Sequence, residues 1–168
     1  VGALGISIGG GASASFAAGV VRTENLIGVP SLNSNERSLV KTYINNSNLK
    51  SEGNINITSK STSTYEVLAI PISIAVNVSP NGVGVGLGAA FNNSRVASDI
   101  SSEALNSNIE AGENIKLTAE ADSSITKAET SGGALAVQAS PKGISLAVGV
   151  AENNNKIDNI IKVMMNSN

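Results

Sequence analysis

The chain has 168 residues, a length that suits a single domain, and 41% of them are hydrophobic although only 2% are aromatic. Its formal net charge is −2 and its basic residues are scattered, which argues against a nucleic-acid partner. It contains neither Cys nor His, so disulfide bonds, thiolate or imidazole metal ligands and a histidine general base are excluded. The composition points to no cofactor and to no catalytic apparatus.

An uncharged stretch opens the chain, from Val1 to Val21. Its length would suit a membrane span, but it is rich in Gly and Ser, and similar stretches recur further along as strands. We therefore expect no membrane insertion. No signal peptide is visible, and we interpret the chain as a piece of a longer protein.

Alternating large and small side chains predict strands along most of the chain. Residues 70–78 alternate Ile or Val with smaller residues, and 83–88, 134–138 and 144–150 repeat the pattern. One face of these strands is branched and apolar, and the other is almost entirely Gly, Ala and Ser. We expect the large face to lie against a core, and the small face to admit a second backbone layer or to lie flat against solvent.

Two stretches depart from this alternation. Residues 28–43 look like an insertion, and the sequence NERSLVKTYINN, which begins at Asn35, would suit a short amphipathic helix inside it. Residues 155–165, NKIDNIIKVMM, fit either a helix or a strand. We expect a strand, because the counterpart SRVASDISSEAL in the preceding repeat is rich in Ser and weak as a helix.

A repeat of about sixty residues organises the chain. The tripeptide Asn-Ser-Asn occurs at 46–48, 106–108 and 166–168. Similar phrases follow its first two copies, LKSEGNINIT from Leu49 and IEAGENIKLT from Ile109. We interpret the chain as a single segment of a longer array.

Glycine-led strands mark the start of each copy. The strands that begin at Gly5, Gly82 and Gly143 align with one another, and the last two follow a Ser-Pro-Asn/Lys-Gly turn. This alignment places the copies at about 5–81, 82–142 and 143–168, the third being partial.

Two strand arrangements fit the repeat. The turns Ser79–Gly82 and Ser140–Gly143, with Pro80 and Pro141 at their second positions, suit a type I turn that ends on a left-handed glycine. Such turns favour antiparallel hairpins or a meander. In-phase repeats favour instead an all-β solenoid, a parallel β-helix in which each coil stacks on the next about 4.8 Å away. We prefer the solenoid.

Stacked coils would arrange the polar residues of the repeat in ladders. We expect Asn46, Asn106 and Asn166 to lie at one corner, with their side-chain amides hydrogen-bonded along the stack. Asn54 and Asn114 would form a second ladder of the same kind. These ladders would explain why polar residues keep their spacing.

The acidic residues are the remaining candidates for chemistry: Glu103, Glu110, Glu113, Asp99, Asp122 and Asp158. The glutamates lack the closely spaced aspartates of a calcium site, so we interpret them as solvated turn residues. A polysaccharide-cleaving β-helix would need paired carboxylates on one face. Asp99 and Asp158 occupy similar phases of the repeat, and we interpret them as turn or strand-edge charges. We expect neither a catalytic nor a metal site.

The segment from Gly132 to Asn168, GGALAVQASPKGISLAVGVAENNNKIDNIIKVMMNSN, and the phase-matched SNIEAGENIKLTAEADSSI from Ser107 to Ile125 resemble the long β-strand repeats of giant bacterial surface proteins. These are the filamentous-haemagglutinin-like adhesins and the leukotoxin-type filamentous adhesins. The resemblance covers the chain apart from residues 28–43. It implies a β-helical shaft, exported to the cell surface for adhesion, display or virulence, with no catalytic residues.

We therefore expect a structural and adhesive segment of a secreted protein on a bacterial surface. Its partners would be neighbouring repeats, identical subunits, and host-cell or matrix ligands. The insertion at 28–43 is the best candidate for a specific contact, because insertions in repeats form loops on one face. The alternatives are a self-assembling extracellular fibre whose small-residue faces pack together, a polysaccharide-active β-helical enzyme, and part of a secreted cytotoxin. An isolated segment would expose both ends of its stack, so we expect it to self-associate.

Overall fold

The computed structural model describes residues 2–140 and 142–166, which form strands and turns and contain no helix. The strands of the first coil are β1 (Gly2–Ser7), β2 (Ala14–Ile27), β3 (Ser38–Asn45), β4 (Asn48–Ser51) and β5 (Ile55–Ala69). Those of the second coil are β6 (Ile72–Asn77), β7 (Val83–Val96), β8 (Ser98–Leu105), β9 (Asn108–Ala111) and β10 (Ile115–Thr130). Those of the third coil are β11 (Gly133–Gln138), β12 (Ile144–Ile157) and β13 (Ile160–Asn166).

Strands from successive coils pair side by side. Within the described ranges they form five sheets: β1–β6–β11, β2–β7–β12, β3–β8–β13, β4–β9 and β5–β10. The pairs β1–β6, β6–β11, β3–β8, β8–β13 and β4–β9 are parallel, so each strand lies against its own repeat equivalent. The chain is therefore an all-β parallel solenoid, as predicted, and the antiparallel alternative is wrong.

The register gives the length of each coil. Ser38 lies opposite Ser98, an offset of 60 in sequence number. The N–H of Val83 donates to the carbonyl of Ser13, which places Val83 opposite Ala14, and this offset is 69, the same as between the hydrogen-bonded Thr23 and Asn92. The difference, 69 − 60 = 9, is the number of extra residues that enter between β2 and β3.

The insertion is shorter than predicted. Residues 38–43, which the sequence assigns to it, belong to β3 and pair in register with β8. The predicted helix from Asn35 is wrong for the same reason, because the strand in the neighbouring coil satisfies backbone groups that a helix would pair internally. What remains between β2 and β3 is residues 28–37, which we call the insertion loop.

The glycine alignment holds at two of its three positions. The N–H of Ile144 donates to the carbonyl of Gly82 (3.0 Å), so Gly82 and Gly143 are equivalent. Gly5 instead lies opposite Ala75 in β6, so it is not the start of an equivalent copy. The error arises because β1 and β7 share an alternation but belong to different sheets. The strand predicted over 155–165 is confirmed and is shared by β12 and β13.

The chain forms two compact units. Unit 1 comprises residues 1–24, 66–93 and 127–155, and unit 2 comprises residues 25–65, 94–126 and 156–168. Sheet β1–β6–β11 lies in unit 1, and sheets β3–β8–β13 and β4–β9 lie in unit 2. The two units have interiors of different kinds.

In unit 1 two sheets face each other through their small residues. A Cβ atom on Gly86 would lie 2.8 Å from the carbonyl oxygen of Leu135. A Cβ atom on Gly88 would overlap the carbonyl oxygen of Gly133. Glycine is needed at both positions because the backbone layers approach so closely. The outward faces of these strands carry Ile, Val and Leu side chains, many of them exposed. In unit 1 the expected core under the large face is therefore wrong, whereas a second backbone layer does cover the small face.

Unit 2 has an aliphatic core. Ile55, Ile57 and Ala104 are buried at its centre. Partly buried side chains from β3, β4, β9 and β10 pack around them: Ile44, Leu49, Ile109, Ala111, Ile115 and Leu117. The large residues of this cluster point inward, which is the arrangement that burial of apolar surface favours.

The turn that joins β6 to β7 is organised around Asn77, which is fully buried in unit 1. Its Oδ1 accepts from the N–H of Ser79 (3.0 Å), and its Nδ2 donates to the carbonyls of Ser13 (3.0 Å) and Val83 (3.1 Å). A buried amide with this many partners ties the turn of one coil to the turn of the coil before it.

Gly82 and Gly143 close their turns, each donating its N–H to the carbonyl three residues earlier (3.3 and 3.4 Å). Neither has a positive φ, so the predicted left-handed glycine is wrong. A Cβ on either residue would collide with the side chain that ends the preceding strand, so glycine is needed there for space. Pro80 is exposed at the second position of its turn, and Pro141 lies outside the described residues.

Candidate functional site

The Asn-Ser-Asn tripeptide forms the corner between β3 and β4 and the equivalent corner between β8 and β9. Asn46 and Asn106 have φ values of 50° and 48°, a left-handed conformation that asparagine tolerates better than most residues. The hydroxyl of Ser47 donates to the carbonyl of Asn45 (2.9 Å), and that of Ser107 accepts from the N–H of Ser47 (3.1 Å). The tripeptide therefore recurs because it turns the backbone.

The third tripeptide is out of phase with the other two. Asn166 lies opposite Leu105, because the offset between β8 and β13 is 61, as between the hydrogen-bonded Ser98 and Asn159, rather than 60. It therefore does not continue the column of Asn46 and Asn106, and that part of the predicted ladder is wrong. A sequence spacing of sixty conceals this shift by a single position.

Side-chain amides do bond between coils close to this corner. Nδ2 of Asn108 donates to Oδ1 of Asn48 (3.3 Å). Oδ1 of Asn54 accepts from both Nδ2 and the backbone N–H of Asn114 (3.0 and 3.1 Å), while Nδ2 of Asn54 donates to the carboxylate of Glu113. These exposed bonds join the first coil to the second.

Arg95 ties the insertion loop to the rest of unit 2. Its side chain is only 7% exposed, and Nη1 donates to the carbonyls of Leu32 (2.8 Å) and Ser34 (2.6 Å). Its Nη2 donates to the carboxylate of Asp158 (3.1 Å). One planar guanidinium therefore holds two backbone positions of the loop through Nη1 while Nη2 is bonded to Asp158.

Asp158 forms ion pairs with basic side chains from all three coils: Arg37 at 2.9 Å, Arg95 at 3.1 Å and Lys156 at 3.5 Å. Burial raises the pKa of the Asp158 carboxyl, but the hydrogen bond from Arg95 and the charges of Arg37 and Lys156 outweigh burial. The pKa therefore lies below its usual value, and the carboxylate stays ionised as the anchor of this cluster.

The predicted phase match between the aspartates is wrong. The N–H of Asp158 donates to Val96, which places Asp158 opposite Ala97, while Asp99 lies opposite Ile160. Asp122 is exposed on β10. The structure therefore does not bring these aspartates together as a carboxylate pair.

The insertion loop presents mainly polar residues to solvent. The N–H of Ser34 donates to the carbonyl of Ser31 (3.3 Å), and the N–H of Glu36 donates to the hydroxyl of Ser34 (3.0 Å). Val29 is buried at the base of the loop. The exposed residues are Pro30, Ser31, Asn33, Asn35 and Glu36. The loop is thus a held polar surface of the kind that positions side chains for binding.

Glu103 is not a solvated turn residue. It lies in β8 with its side chain 8% exposed, between Lys41 at 2.7 Å and Lys162 at 3.7 Å from the neighbouring coils. The hydrogen bond from Lys41 lowers the pKa of Glu103 below its usual value. Glu110 is more exposed and pairs with Lys50 at 3.0 Å, which lowers its pKa in the same way. Among residues 2–140 and 142–166, no group of three or more acidic side chains is arranged to hold a metal ion.

Unit 1 exposes an aliphatic surface that sequence analysis assigned to the core. We define the aliphatic face as the outward side chains of β1, β6 and β11: Leu4, Ile6, Ile72, Ile74, Val76, Leu135 and Val137. Ile72 is 53% exposed although strands flank it on both sides, so it faces away from the sheet rather than along the stack. The signal was present in the sequence as the large face of an alternating strand, and its direction was misjudged.

Comparison of the chain with protein-family models, with curated proteins and with solved structures found no match. The resemblance to filamentous adhesins therefore stays a prediction. Within the described ranges, no helix is long and apolar enough to cross a membrane.

Proposed function

We propose that this chain is a structural segment of the shaft of a large secreted bacterial surface protein, and that it displays an adhesive loop. The observation that supports the shaft is the in-register stacking of coils at sequence offsets of 60 and 61. Each coil continues the sheets of the coil before it, so length is gained by repetition rather than by a new fold. A shaft of this kind would hold binding elements away from the cell.

Contacts between coils give the shaft its proposed mechanical role. Besides the parallel ladders, ion pairs in unit 2 join equivalent positions of the first and second coils, Lys50 with Glu110 at 3.0 Å and Lys60 with Glu120 at 2.8 Å. Exposed pairs of this kind add little stability one by one. Repeated along a stack, they favour the correct register over a slipped one.

The insertion loop supports the adhesive part of the proposal. It is the largest departure from the repeat, and Arg95 holds it in place instead of leaving it loose. Loops on a rigid scaffold are where binding residues concentrate, and a held loop loses less conformational entropy when it binds. The proposed ligand is a host-cell or matrix molecule.

The test is a deletion of residues 28–36, which removes nine residues and keeps Arg37 as the counterpart of Ala97. We expect the deleted chain to retain the β-type circular dichroism spectrum and to lose saturable binding to host cells or purified matrix proteins. A matched control, Asn81→Ala with Lys142→Ala, changes two exposed turn positions and should bind like the original chain.

Equal binding by the folded deletion variant and the original chain would place adhesion outside the loop. Absence of binding by the original chain would remove the adhesive part of the proposal and leave the structural part. These outcomes are separable because circular dichroism reports folding independently of binding.

A further inference from the structure

Unit 1 buries little apolar side-chain surface of its own. In its described residues, the buried apolar side chains are one valine, one proline and four alanines: Val67, Pro71, Ala17, Ala69, Ala75 and Ala90. Its interior is filled mainly by glycine, alanine and serine, with Asn77 and Asn92 also buried, and at Gly86 and Gly88 the two backbone layers lie too close together to admit a side chain. The larger apolar groups of unit 1 lie on the outside. Because burial of apolar surface is the main favourable term in folding, these groups stabilise unit 1 only if something covers them.

The aliphatic face is large enough for a stable interface. Its side chains expose on the order of 600 Å² of apolar surface, the upper part of the range for patches on monomeric proteins. That area also reaches the roughly 600 Å² per partner at the low end of specific protein interfaces. The face is therefore of a size that marks a contact surface.

The rows of the aliphatic face are regular. Leu4, Ile74 and Leu135 lie opposite one another, as do Ile6, Val76 and Val137 in the next row. Rows of Ile, Val and Leu at a strand spacing of about 4.8 Å match an identical face, and two such faces pack about 10 Å apart. Ile and Val lose little rotamer freedom on burial, so covering this face costs little entropy.

Charge also favours an identical partner. No Asp, Glu, Lys or Arg occurs between residues 67 and 93, and β1 and β11 carry none either. The opposite outer face of unit 1 ends in the ion pair Arg22–Glu24, so the aliphatic face is the more uniform of the two. Surfaces that bind lipid combine apolar groups with Lys or Arg and often Trp, and this chain has no Trp at all.

We propose that the aliphatic face is a lateral pairing surface, and that a second copy of this chain covers it with its own aliphatic face. The pairing joins two unit 1 regions side by side through sheets β1–β6–β11. It is independent of ligand binding by the insertion loop, which belongs to unit 2.

The test is analytical ultracentrifugation of the chain and of the variant Ile72→Lys with Ile74→Lys. The original chain should sediment as a dimer at micromolar concentration. The variant should weaken pairing by roughly 100-fold or more, because each lysine would bring an unpaired charge into an apolar contact. The control, Thr58→Lys with Thr62→Lys, adds the same charge to exposed positions of β5 and should remain dimeric.

A milder variant guards against misfolding. Ile72→Thr with Ile74→Thr keeps β-branched side chains and strand propensity, so it should retain the β-type spectrum while its dimer weakens. A monomeric original chain, or a lysine variant that still pairs like the original, would overturn the proposal. A monomer that floats with neutral phosphatidylcholine vesicles would overturn it in favour of a lipid surface.

Discussion

At the scale of single residues, Asn46, Asn106 and Gly82 show that residue type and backbone role are not matched one to one. The asparagines adopt left-handed φ values, while Gly82 does not and is instead needed for space beside Asn77. Glu103 shows that a charged residue is not always exposed: this glutamate of a serine-rich strand is buried between two lysines from other coils. The role of Glu103 depends on neighbours that are distant in sequence and lie in adjacent coils, whereas that of Gly82 depends on Asn77 in its own turn.

Glu103 makes stability depend on pH in a predictable direction. The pKa of Glu103 is lowered in the folded chain. Its contribution to the free energy of unfolding is therefore present at neutral pH and is lost as the pH falls through the pKa of the folded state. We expect Glu103→Gln to lower the urea midpoint at pH 7. The difference from the original chain should shrink below about pH 4, where the original carboxyl becomes protonated as well. Urea unfolding monitored by circular dichroism measures this gap.

The exposed Glu152 of β12 provides the control for this experiment. Glu152→Gln should leave the urea midpoint close to that of the original chain at both pH values, because surface charges contribute little. A gap for Glu103→Gln that stays the same from pH 7 to pH 3 would show that the lysine contacts do not stabilise the carboxylate.

At the scale of strands, β7 shows how one alternating pattern produces two very different faces. Gly86 and Gly88 lie against the backbone of β11, and their large neighbours in the strand face outward. A thin interior requires residues without side chains, so the apolar residues have to take the other face. In β5 the same alternation buries Ile55 and Ile57 in unit 2, because the inward positions of β5 carry large residues whereas those of β7 carry glycine.

Adjacent positions of β7 test this account. A side chain on Gly88 would overlap the carbonyl of Gly133, so Gly88→Val should destabilise the chain by about 3 kcal/mol or more. Ala89 points outward from the same strand, and Ala89→Val should change stability by no more than about 0.5 kcal/mol. Urea unfolding of both variants gives the comparison. Similar losses at the two positions would contradict the close approach of the layers.

At the scale of the whole molecule, the coil is the repeating element, and its length is counted by strand register rather than by tripeptide spacing. Gly133 lies opposite Ile72, so the stretch 72–132 makes up one complete coil. The first coil exceeds this length mainly through the insertion loop. A strand keeps its inward and outward faces only if each coil returns in the same phase.

Duplication of the middle coil should therefore fold. A second copy of residues 72–132 placed after Gly132 continues every sheet in register, and we expect a higher urea midpoint and a steeper unfolding slope. The matched control is the same duplication with Val85 deleted from the added copy. This deletion shifts the strand by a single position and turns the rest of the added β7 to the opposite face. That control should be less stable than the correct duplication, and equal stability of the two would contradict a strict phase requirement.

Part of the candidate site was predictable. The insertion was visible as an interruption of the repeat, but its last assigned residues, 38–43, proved to be strand. The anchor was not predictable, because Arg95 and Asp158 are separated by 63 in sequence number and meet only when coils stack. The exposure of the aliphatic face was likewise invisible in β6, because period-two alternation identifies two faces without saying which one another sheet will cover.

The sequence by itself determined the local features: strands from alternation, turns from Ser-Pro-Asn/Lys-Gly, and a repeat of about sixty residues that predicts a solenoid. Tertiary structure decided the exact coil length, the partners of Glu103 and Arg95, and which face of each strand lies inside. These depend on contacts between residues in different coils, far apart in sequence. Which face of a strand lies inside depends on how closely the backbone layers can approach, and local alternation does not encode that distance.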